Sequence, residues 1–245
     1  MKRISTGISG LDKLVGGGFI QNSIILLSGG PGTGKTIFGL QFICSNALKE
    51  PGVYVTLEQT SEELREQMKQ FGMDIERLED KNKISILQIE EVDIERILRM
   101  VESEVKRINA KRLVIDSHTA LMDFASTFKE GIRELSSYII YLKETLGFGP
   151  GEREIIRKTA KKTIEFYKKL GCTTLLISEV SKEGEFSKDG VTEYLVDGII
   201  SLNFLSEGFP RSLNIRKMRR TKHGLDAYPV EISKEGLIVK KSPKI

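Results

Sequence analysis

The chain has 245 residues, a length that suits one large α/β domain with a buried core. Its composition, 39% hydrophobic and 29% charged residues, excludes an intrinsically disordered chain, and its net charge of +4 permits contact with nucleic acid without predicting it. No apolar run reaches the roughly 18 residues of a membrane span, and the polar start lacks the apolar core of a secretion signal. We therefore expect a cytoplasmic protein that does not enter the membrane.

Strand-like and helix-like apolar runs alternate along the chain, which predicts an α/β fold with a mostly parallel sheet between helices. The predicted strands are Ile24–Ser28, Val53–Glu58, Ile84–Ile89, Arg112–Asp116, Thr173–Ser178, Gly198–Asn203, Ser212–Met218, Pro229–Ile232 and Leu237–Lys240. The predicted helices are Ile37–Leu48, Glu62–Phe71, Ile94–Asn109, Gly131–Leu146 and Arg153–Leu170. Thr60 and Glu63 predict a capping box. Since strands follow each other closely after Thr173, we expect antiparallel strands and a hairpin at one edge of the sheet.

Residues 29–36 match the phosphate-binding pattern G-x-x-x-x-G-K-[ST] at every fixed position. A predicted strand precedes this loop and a predicted helix follows it, which is the context that the motif requires. Glycines allow backbone N–H groups to approach phosphate, and the helix presents its positive end. Lys35 is expected to reach the β- and γ-phosphates and Thr36 to bind Mg²⁺. The candidate nucleotide ligands are Gly29, Gly30, Pro31, Gly32, Thr33, Gly34, Lys35, Thr36 and Ile37.

Two later strands end in acidic residues. Asp116 follows the apolar run of Arg112–Asp116, and a carboxylate at that position holds Mg²⁺ or its waters in phosphate-loop enzymes. Glu58 ends the run of Val53–Glu58 and is a candidate for polarising the water that attacks the γ-phosphate. A capping or turn role for Glu58 is an equally open alternative, because its position alone does not choose between the two.

A cationic segment, Lys217–His223, follows a late strand. Alternation along that strand places Lys217 and Arg219 on the same side. Such a pair suits phosphate in the same subunit, phosphate in a neighbouring subunit, or a nucleic-acid backbone. The alternative is an ordinary solvated strand edge, where charges are common.

Taken together, these residues resemble the KaiC-like branch of the RecA-type ATPases over nearly the whole chain. Residues 5–12 and 16–18 are similar to the leader T-G-I-x-G-L-D-x-L-x-G-G-G of that family. The resemblance continues through the phosphate loop, Glu58, Ile115–Ser117, Glu193–Gly198, Lys217–His223 and Tyr228–Ile232. It implies one RecA-like domain over residues 1–245, with a structural leader at 1–23.

The resemblance also implies a homo-oligomeric ring, commonly a hexamer, with ATP and Mg²⁺ at the subunit interfaces. In such a ring Lys217 and Arg219 reach the ATP of the adjacent subunit. The remaining residues assigned to that trans set are Met218, Thr221, His223, Ser233 and Lys234, the last two by their match to a region near the nucleotide base. Glu58 is then the catalytic base, and Lys35 and Gln59 complete the catalytic set.

Three departures from the family pattern affect these expectations. Glu58-Gln59 replaces the usual pair of glutamates, so slow turnover is expected. Arg220 replaces a common glycine and adds a charge at the interface. The segment before Thr173 is long, and an inserted helix is placed within residues 147–172. Residues 193–194 stand near the phosphorylated Ser-Thr pair of the family's clock protein, so autophosphorylation is not expected.

Three functions are compatible with these features. The leading hypothesis is a Mg²⁺-dependent ATPase with a regulatory or signalling role, whose protein partner the sequence does not identify. The second is a DNA-binding recombination or repair ATPase similar to RadA paralogues, supported by the basic run Arg211–His223. The loop Ser181–Thr192 disfavours it, since Phe186 is its only aromatic for base stacking. The third is a switch or scaffold whose output is ATP occupancy rather than turnover.

Overall fold

A computed structural model describes residues 1–91, 93–124, 152–180, 185–204 and 211–240. Their strands are β1 (Arg3–Ile4), β2 (Phe19–Ile20), β3 (Ile24–Gly29), β4 (Gly52–Thr56), β5 (Ile84–Gln88), β6 (Arg112–Asp116), β7 (Thr173–Glu179), β8 (Gly198–Phe204), β9 (Arg211–Met218), β10 (Ala227–Ser233) and β11 (Gly236–Val239). Their helices are α1 (Leu11–Leu14), α2 (Lys35–Cys44), α3 (Ser61–Lys69), α4 (Ile75–Asp80), α5 (Ile94–Arg107), α6 (Glu152–Leu170) and α7 (Thr192–Leu195). Every predicted strand is present, with small shifts at its ends.

A nine-stranded sheet in the order β11-β10-β9-β8-β3-β7-β6-β4-β5 organises the described residues. The strands from β8 to β5 in that order pair in parallel. The strands β8, β9, β10 and β11 pair antiparallel and form the other edge. The predicted α/β fold, with a mostly parallel sheet completed by an antiparallel edge, is therefore confirmed. The short ribbon of β1 and β2 was not predicted, because two-residue strands carry no readable period.

Two apolar clusters cover the two faces of the sheet, and β3 contributes to both by alternation. Ile25 and Leu27 belong to the cluster formed with α2, α3 and α4. Ile24 and Leu26 belong to the cluster formed with α5 and α6. Because parallel strands are covered by helices on both sides, their sequences are continuous apolar runs, as β3 illustrates. No helix within the described ranges is long and apolar enough to cross a membrane.

The helix predicted at Arg153–Leu170 is confirmed as α6. It lies between β6 and β7 in the chain and buries Ala160, Ile164 and Tyr167. Ile164 and Tyr167 belong to the second apolar cluster, so α6 packs as part of the core, and its description as an inserted helix stays a prediction. The predicted helix Gly131–Leu146 and residues 147–151 lie outside the described residues.

The helix boundaries follow local chemistry. α3 begins at the predicted capping box: the Glu63 N–H donates to Thr60 Oγ1 at 3.2 Å, and the Thr60 N–H donates to Glu63 Oε2 at 2.8 Å. α2 ends at Cys44 instead of at the predicted Leu48, and Asn46 follows with a φ of 59°, which interrupts helical backbone. The helices α1, α4 and α7 were not predicted, since a helix of one or two turns shows too little periodicity.

Candidate nucleotide site

The phosphate loop joins the carboxyl end of β3 to the amino end of α2. Gly29 lies so close to β8 that an added Cβ would stand 2.5 Å from the carbonyl oxygen of Leu202. Gly34 has a φ of 104°, a left-handed conformation that favours glycine, and directly precedes Lys35 at the start of α2. This geometry suits an anion, because a helix amino terminus carries a partial positive charge.

Asp116, at the carboxyl end of β6, meets the phosphate loop as predicted. Its Oδ2 accepts hydrogen bonds from the Thr36 hydroxyl at 3.0 Å and from the Tyr54 hydroxyl at 2.5 Å. Burial raises the pKa of the Asp116 carboxyl, and the charge of Glu58 acts in the same direction. Burial and the Asp116 charge raise the pKa of Tyr54, so its phenol remains a protonated donor. The phosphate loop and the end of β6, which are distant in the sequence, thus meet in the hydrogen bond from Thr36 to Asp116.

The donor set of Thr36 and Asp116 fits Mg²⁺. Mg²⁺ prefers oxygen ligands and is commonly held by one or two carboxylates together with substrate phosphates and water. Among the described residues there is no group of three or more His, Cys, Asp or Glu that would suit a metal ion. The site therefore fits a metal that arrives with a nucleotide better than a metal held by the protein alone.

Lys35 is a buried cation within the loop. Its Nζ donates to the carbonyl oxygen of Gly30 at 2.8 Å and lies 3.7 Å from Glu179 Oε1. Glu179, at the end of β7, was not predicted as part of the site. Its side chain is 47% exposed, so solvent screens much of its attraction to Lys35. The ammonium group therefore remains a source of positive charge for phosphate.

Glu58 lies on the wall of the cavity described below, whereas its neighbour Gln59 lies in a turn after β4. β4 ends at Thr56, so Glu58 lies just beyond the strand and not at its end as predicted. Glu58 is exposed, lines the cavity described below, and accepts a hydrogen bond from the Ser117 hydroxyl at 2.6 Å. Gln59 instead forms a turn: its backbone carbonyl accepts from the Thr56 hydroxyl at 2.8 Å. The structure brings Glu58 to the site and does not place Gln59 among the described lining residues.

A cavity of about 310 Å³ collects these groups, and its size lies in the range of small-molecule sites. Its walls come from the phosphate loop, the ends of three parallel strands, α3 and the antiparallel edge. The described lining residues are Pro31, Gly32, Gly34, Lys35, Thr36, Ile37, Glu58, Gln67, Asp116, Glu179, Arg211 and Ile232.

Arg211 is a site residue that the sequence analysis did not assign to the nucleotide. Its Nε and Nη2 donate to the carbonyl oxygen of Gly32 at 3.2 and 3.1 Å, and its guanidinium carbon lies 5.4 Å from the ring centre of Phe204. The sequence showed only a basic run beginning at this residue. Its place beside the loop depends on the pairing of β9 with β8, which local patterns do not reveal.

Lys217 and Arg219 lie where the parallel strands begin, whereas the phosphate loop lies where they end. We call these two sides of the sheet its amino edge and its carboxyl edge. Because β9 is antiparallel to β8, its last residue Met218 pairs with Gly198, the first residue of β8. Gly198 in turn pairs with Ile25, near the start of β3. Roughly 13 Å of strand, at about 3.3 Å per residue, therefore separates this edge from the loop at the end of β3. The two cations do not line the cavity of their own chain.

At this edge both cations bind the backbone at the end of α7. Lys217 Nζ donates to the carbonyl oxygens of Glu193 at 3.0 Å and of Tyr194 at 3.4 Å, and Arg219 Nη2 donates to the Tyr194 oxygen at 3.3 Å. Arg219 Nη1 also lies 3.5 Å from Asp197 Oδ1. Burial and the charge of Arg219 lower the pKa of Lys217. The two side chains share one side, as strand alternation predicted.

Three neighbours in the predicted trans set make contacts within their own chain. Met218 is 8% exposed and packs in the core, because alternation turns it inward between two outward cations. Its side chain thus has a packing role within its own chain, and its expected place beside the nucleotide of an adjacent subunit stays a prediction. Thr221 Oγ1 accepts from Arg3 at 3.0 Å, and His223 Nδ1 lies 2.9 Å from the Gly224 carbonyl oxygen.

The turn between β10 and β11 lies beside the phosphate loop of the same chain. Ile232 lines the cavity, and its Cδ1 stands 3.3 Å from the position of a Cβ at Gly34. Ser233 and Lys234 follow directly in this turn, which packs against α2 through β11. Neither residue is among the described residues that line the cavity, and their expected assignment to the nucleotide of an adjacent subunit stays a prediction.

The chain is similar to known proteins along nearly its whole length. A family model described as "ATPase: KaiC" matches residues 4–147 and 144–244. A UPF0273 protein of Methanocaldococcus jannaschii is 36% identical over 245 residues, which cover 98% of this chain and 96% of that protein. Another, from Pyrococcus horikoshii, is 34% identical over 260 residues, covering 97% and 94%. The crystal structure of a KaiC-like protein from Pyrococcus horikoshii OT3 matches with a TM-score of 0.79 and 36% identity, over 98% of this chain and 99% of that one.

Proposed function

Because the chain belongs to the KaiC family of ATPases, we propose that it binds ATP with Mg²⁺ and hydrolyses it at sites shared between the subunits of a ring. The binding part rests on one observation, the convergence of three features on a single cavity. These are the phosphate loop, the buried ammonium of Lys35, and the hydrogen-bonded pair of Thr36 and Asp116. A phosphate chain supplies the negative charge and the acceptor oxygens that this arrangement attracts.

The same groups support a hydrolytic role. Mg²⁺, when bound with nucleotide, neutralises charge on the β- and γ-phosphates, and Thr36 and Asp116 are the residues that would hold it. Glu58 is the candidate base, because an exposed carboxylate on the cavity wall can accept a proton from an attacking water. The Ser117 hydroxyl, 2.6 Å from Glu58 Oε1, fixes the orientation of that carboxylate.

The placement of Lys217 and Arg219 supports the shared-site part of the proposal. In a head-to-tail ring, opposite edges of neighbouring subunits face each other, and the contact repeats around the ring. The two cations lie at the edge opposite the phosphate loop, so they are suited to the nucleotide of an adjacent copy. A hexameric ring is the form that we expect, with a regulatory or signalling role in the cytoplasm.

A second candidate function is a switch in which ATP occupancy is the output. It is favoured by the position of Gln59, whose backbone contacts form a turn, while Glu58 is the carboxylate that follows β4 at the cavity. One candidate base suits slow turnover and a long-lived ATP-bound state. An ATP-dependent change of oligomeric state with hydrolysis at background level would select this function over a turnover enzyme.

The test is phosphate release from ATP by the wild type and by Lys35→Ala. We expect Lys35→Ala to lose at least about 10²-fold in rate, because the loop loses its only cation within the pattern and with it phosphate stabilisation. The exposed Lys49, which follows α2, provides a matched control as Lys49→Ala with an unchanged rate. Hydrolysis by the wild type that persists in Lys35→Ala would contradict the proposal.

A further inference from the structure

The solvent-exposed face of α6 is strongly cationic. The helix contains seven Lys and Arg residues and three Glu residues, so its net charge of +4 equals that of the whole chain. Ala160, Ile164 and Tyr167 are buried on its other face. The described residues that α6 exposes are Arg157, Lys158, Lys161, Lys162, Glu165, Lys168 and Lys169. The basic excess of the chain is therefore concentrated on one helix.

Five of these cations form a strip along the helix. Arg157, Lys161 and Lys168 follow each other at spacings of four and seven residues, so they stand in one row. Lys162 and Lys169, which are seven residues apart, stand in the next row. At about 1.5 Å per residue, the distance from the first to the last of them is about 18 Å. We call these five residues the α6 strip.

The α6 strip differs from the neighbouring helix α5 in how its charges are balanced. Every cation of α5 forms an ion pair with a carboxylate; the pairs are Arg96–Glu91, Arg99–Glu95, Lys106–Glu102 and Arg107–Glu104. In the α6 strip, Lys161 is the one cation that forms an ion pair with a described residue. Its partner is Glu165 at 3.9 Å, and with side chains 69% and 54% exposed this pair is screened by solvent. The strip is thus suited to an anion from outside the chain.

The stability of the helix itself does not account for this pattern. Arg157 and Lys161 are like charges four residues apart, a spacing that destabilises a helix. The helix dipole favours cations in the last turn, which accounts for Lys168 and Lys169. The dipole gives no reason for Arg157, Lys161 and Lys162 in the earlier turns. A bound polyanion does, because it would neutralise the whole row.

Duplex DNA is the polyanion that fits the strip best. It carries about one phosphate charge per 1.7 Å of its axis, which is about ten charges over the length of the strip. A helix that binds a membrane turns apolar side chains toward it, whereas the exposed residues of the strip are all charged. A single strand stacks its bases on aromatic rings, whereas the aromatic residues of α6, Phe166 and Tyr167, pack with the core.

We propose that the exposed face of α6 binds duplex DNA through its backbone phosphates, without reading base sequence. Four of the five residues of the strip are lysines, which bind phosphate as point charges. The surface is distinct from the basic run Arg211–His223, on which the sequence-based DNA hypothesis rested. It is also distinct from the nucleotide cavity, since none of the described residues that line the cavity belongs to α6.

The test is the salt dependence of binding to a short fluorescent DNA duplex, measured by anisotropy. The variant combines Arg157→Gln, Lys161→Gln and Lys162→Gln, and it leaves the two lysines of the last turn unchanged. Each phosphate contact contributes about 0.9 to the slope of the logarithm of the association constant against the logarithm of salt concentration. For one α6 in contact with the duplex, the variant should therefore lose about 2.7 of the wild-type slope.

The matched control combines Arg96→Gln, Arg99→Gln and Lys106→Gln on α5. Both triple variants remove the same amount of positive charge at exposed positions, so an effect of net charge alone is common to them. We expect the control to keep the wild-type slope, because its cations are already paired with carboxylates. Urea unfolding verifies that both variants fold, and neither should change the rate of ATP hydrolysis.

Equal slopes for the wild type and the α6 variant would overturn the inference, and so would an equal loss of slope in the α5 control. Tighter binding of a single strand or of duplex RNA of the same length would contradict the assignment to duplex DNA. Binding to vesicles of anionic phospholipid without binding to the duplex would assign the face to a membrane instead. None of these measurements depends on ATP hydrolysis, so they separate this inference from the proposed function.

Discussion

The two edges of the parallel sheet differ in how completely their charged groups are satisfied. At the carboxyl edge, Asp116 is 9% exposed and receives two hydroxyl donors, and Lys35 is buried in the loop. At the amino edge, the half-buried Lys217 donates to the backbone carbonyl oxygens of Glu193 at 3.0 Å and of Tyr194 at 3.4 Å. Arg219 donates to the Tyr194 oxygen at 3.3 Å, and its side chain is 47% exposed. The first edge is a nearly complete site, whereas the second presents cations to its surroundings.

The difference indicates which groups a neighbouring nucleotide could engage. Buried charges are stabilised by fixed partners and are difficult to redirect. Cations that bind neutral backbone carbonyl oxygens can exchange them for phosphate, a charged acceptor that forms stronger hydrogen bonds. The cavity provides binding, metal and base groups, and the opposite edge provides two cations that do not line the cavity of their own chain.

Glu58→Gln is expected to have the largest effect and acts at the carboxyl edge. Removing the candidate base should lower the rate of ATP hydrolysis by about 10²- to 10⁴-fold, because general-base catalysis contributes on that scale. The affinity for ATP should change little, since Glu58 faces water rather than phosphate. Single-turnover phosphate release together with calorimetric titration separates the two quantities.

The control for that substitution is Glu66→Gln, an equal change of charge at an exposed position of α3. It should leave both quantities unchanged. If Glu58→Gln hydrolysed ATP at the wild-type rate, the hydrogen bond from Ser117 to Glu58 would have a structural role in the turn and not a catalytic one. That outcome would return Glu58 to the alternative role that sequence position left open.

A histidine network holds the start of α7, the short helix that also carries the acceptors of Lys217 and Arg219. The Thr192 hydroxyl donates to Asp189 Oδ2 at 2.6 Å, so its oxygen is left to accept from His118 Nε2 at 3.0 Å. His118 is therefore the neutral Nε2–H tautomer, and burial lowers its pKa to about 4. The carbonyl oxygen of Tyr194, in the same short helix, holds Lys217 and Arg219.

His118 should make stability depend on pH in a defined window. Its pKa is lower in the folded chain than the value near 6.5 in the unfolded chain, so the unfolded state binds the proton more readily. The stabilising contribution is present above about pH 6.5 and is lost as pH falls toward 4, a change of about 3 kcal/mol at 1.36 kcal/mol per unit. Urea unfolding at pH 7 and pH 4 measures it.

The matched variant is His118→Gln, which does not titrate in that window. The free energy of unfolding of the wild type should fall between pH 7 and pH 4 by about 3 kcal/mol more than that of the variant. Equal falls in the two proteins would contradict a buried neutral His118.

Met218→Leu should have the smallest effect and tests whether the Met218 side chain has a packing role at the amino edge. The side chain is 8% exposed and packs in the core, so an exchange of similar volume should cost less than about 1.5 kcal/mol of unfolding free energy. ATP hydrolysis should be unchanged, because the Met218 side chain is buried within its own chain. A large loss of hydrolysis with normal stability would instead support the original assignment of Met218 to nucleotide.

The sequence predicted what depends on local pattern. Apolar runs revealed the strands, the glycine pattern revealed the loop, and an acid after a buried strand revealed Asp116. It did not reveal that Arg211 lies beside the phosphate loop, because that placement depends on antiparallel pairing between β9 and β8. Nor did it reveal the role of Tyr54, which in the sequence is one more residue of a buried strand. Its hydroxyl reaches Asp116 only because β6 pairs with β4.

The central claim, that one site is made by two subunits, is tested most directly by mixing two inactive variants. Lys35→Ala removes the loop cation and Arg219→Ala removes the cation of the opposite edge. After subunit exchange, about a quarter of the interfaces in a randomly mixed head-to-tail ring would pair an intact loop with an intact Arg219. We predict that phosphate release, absent in each variant alone, returns in the mixture. No return of activity, with exchange verified by labelled subunits, would contradict the shared site.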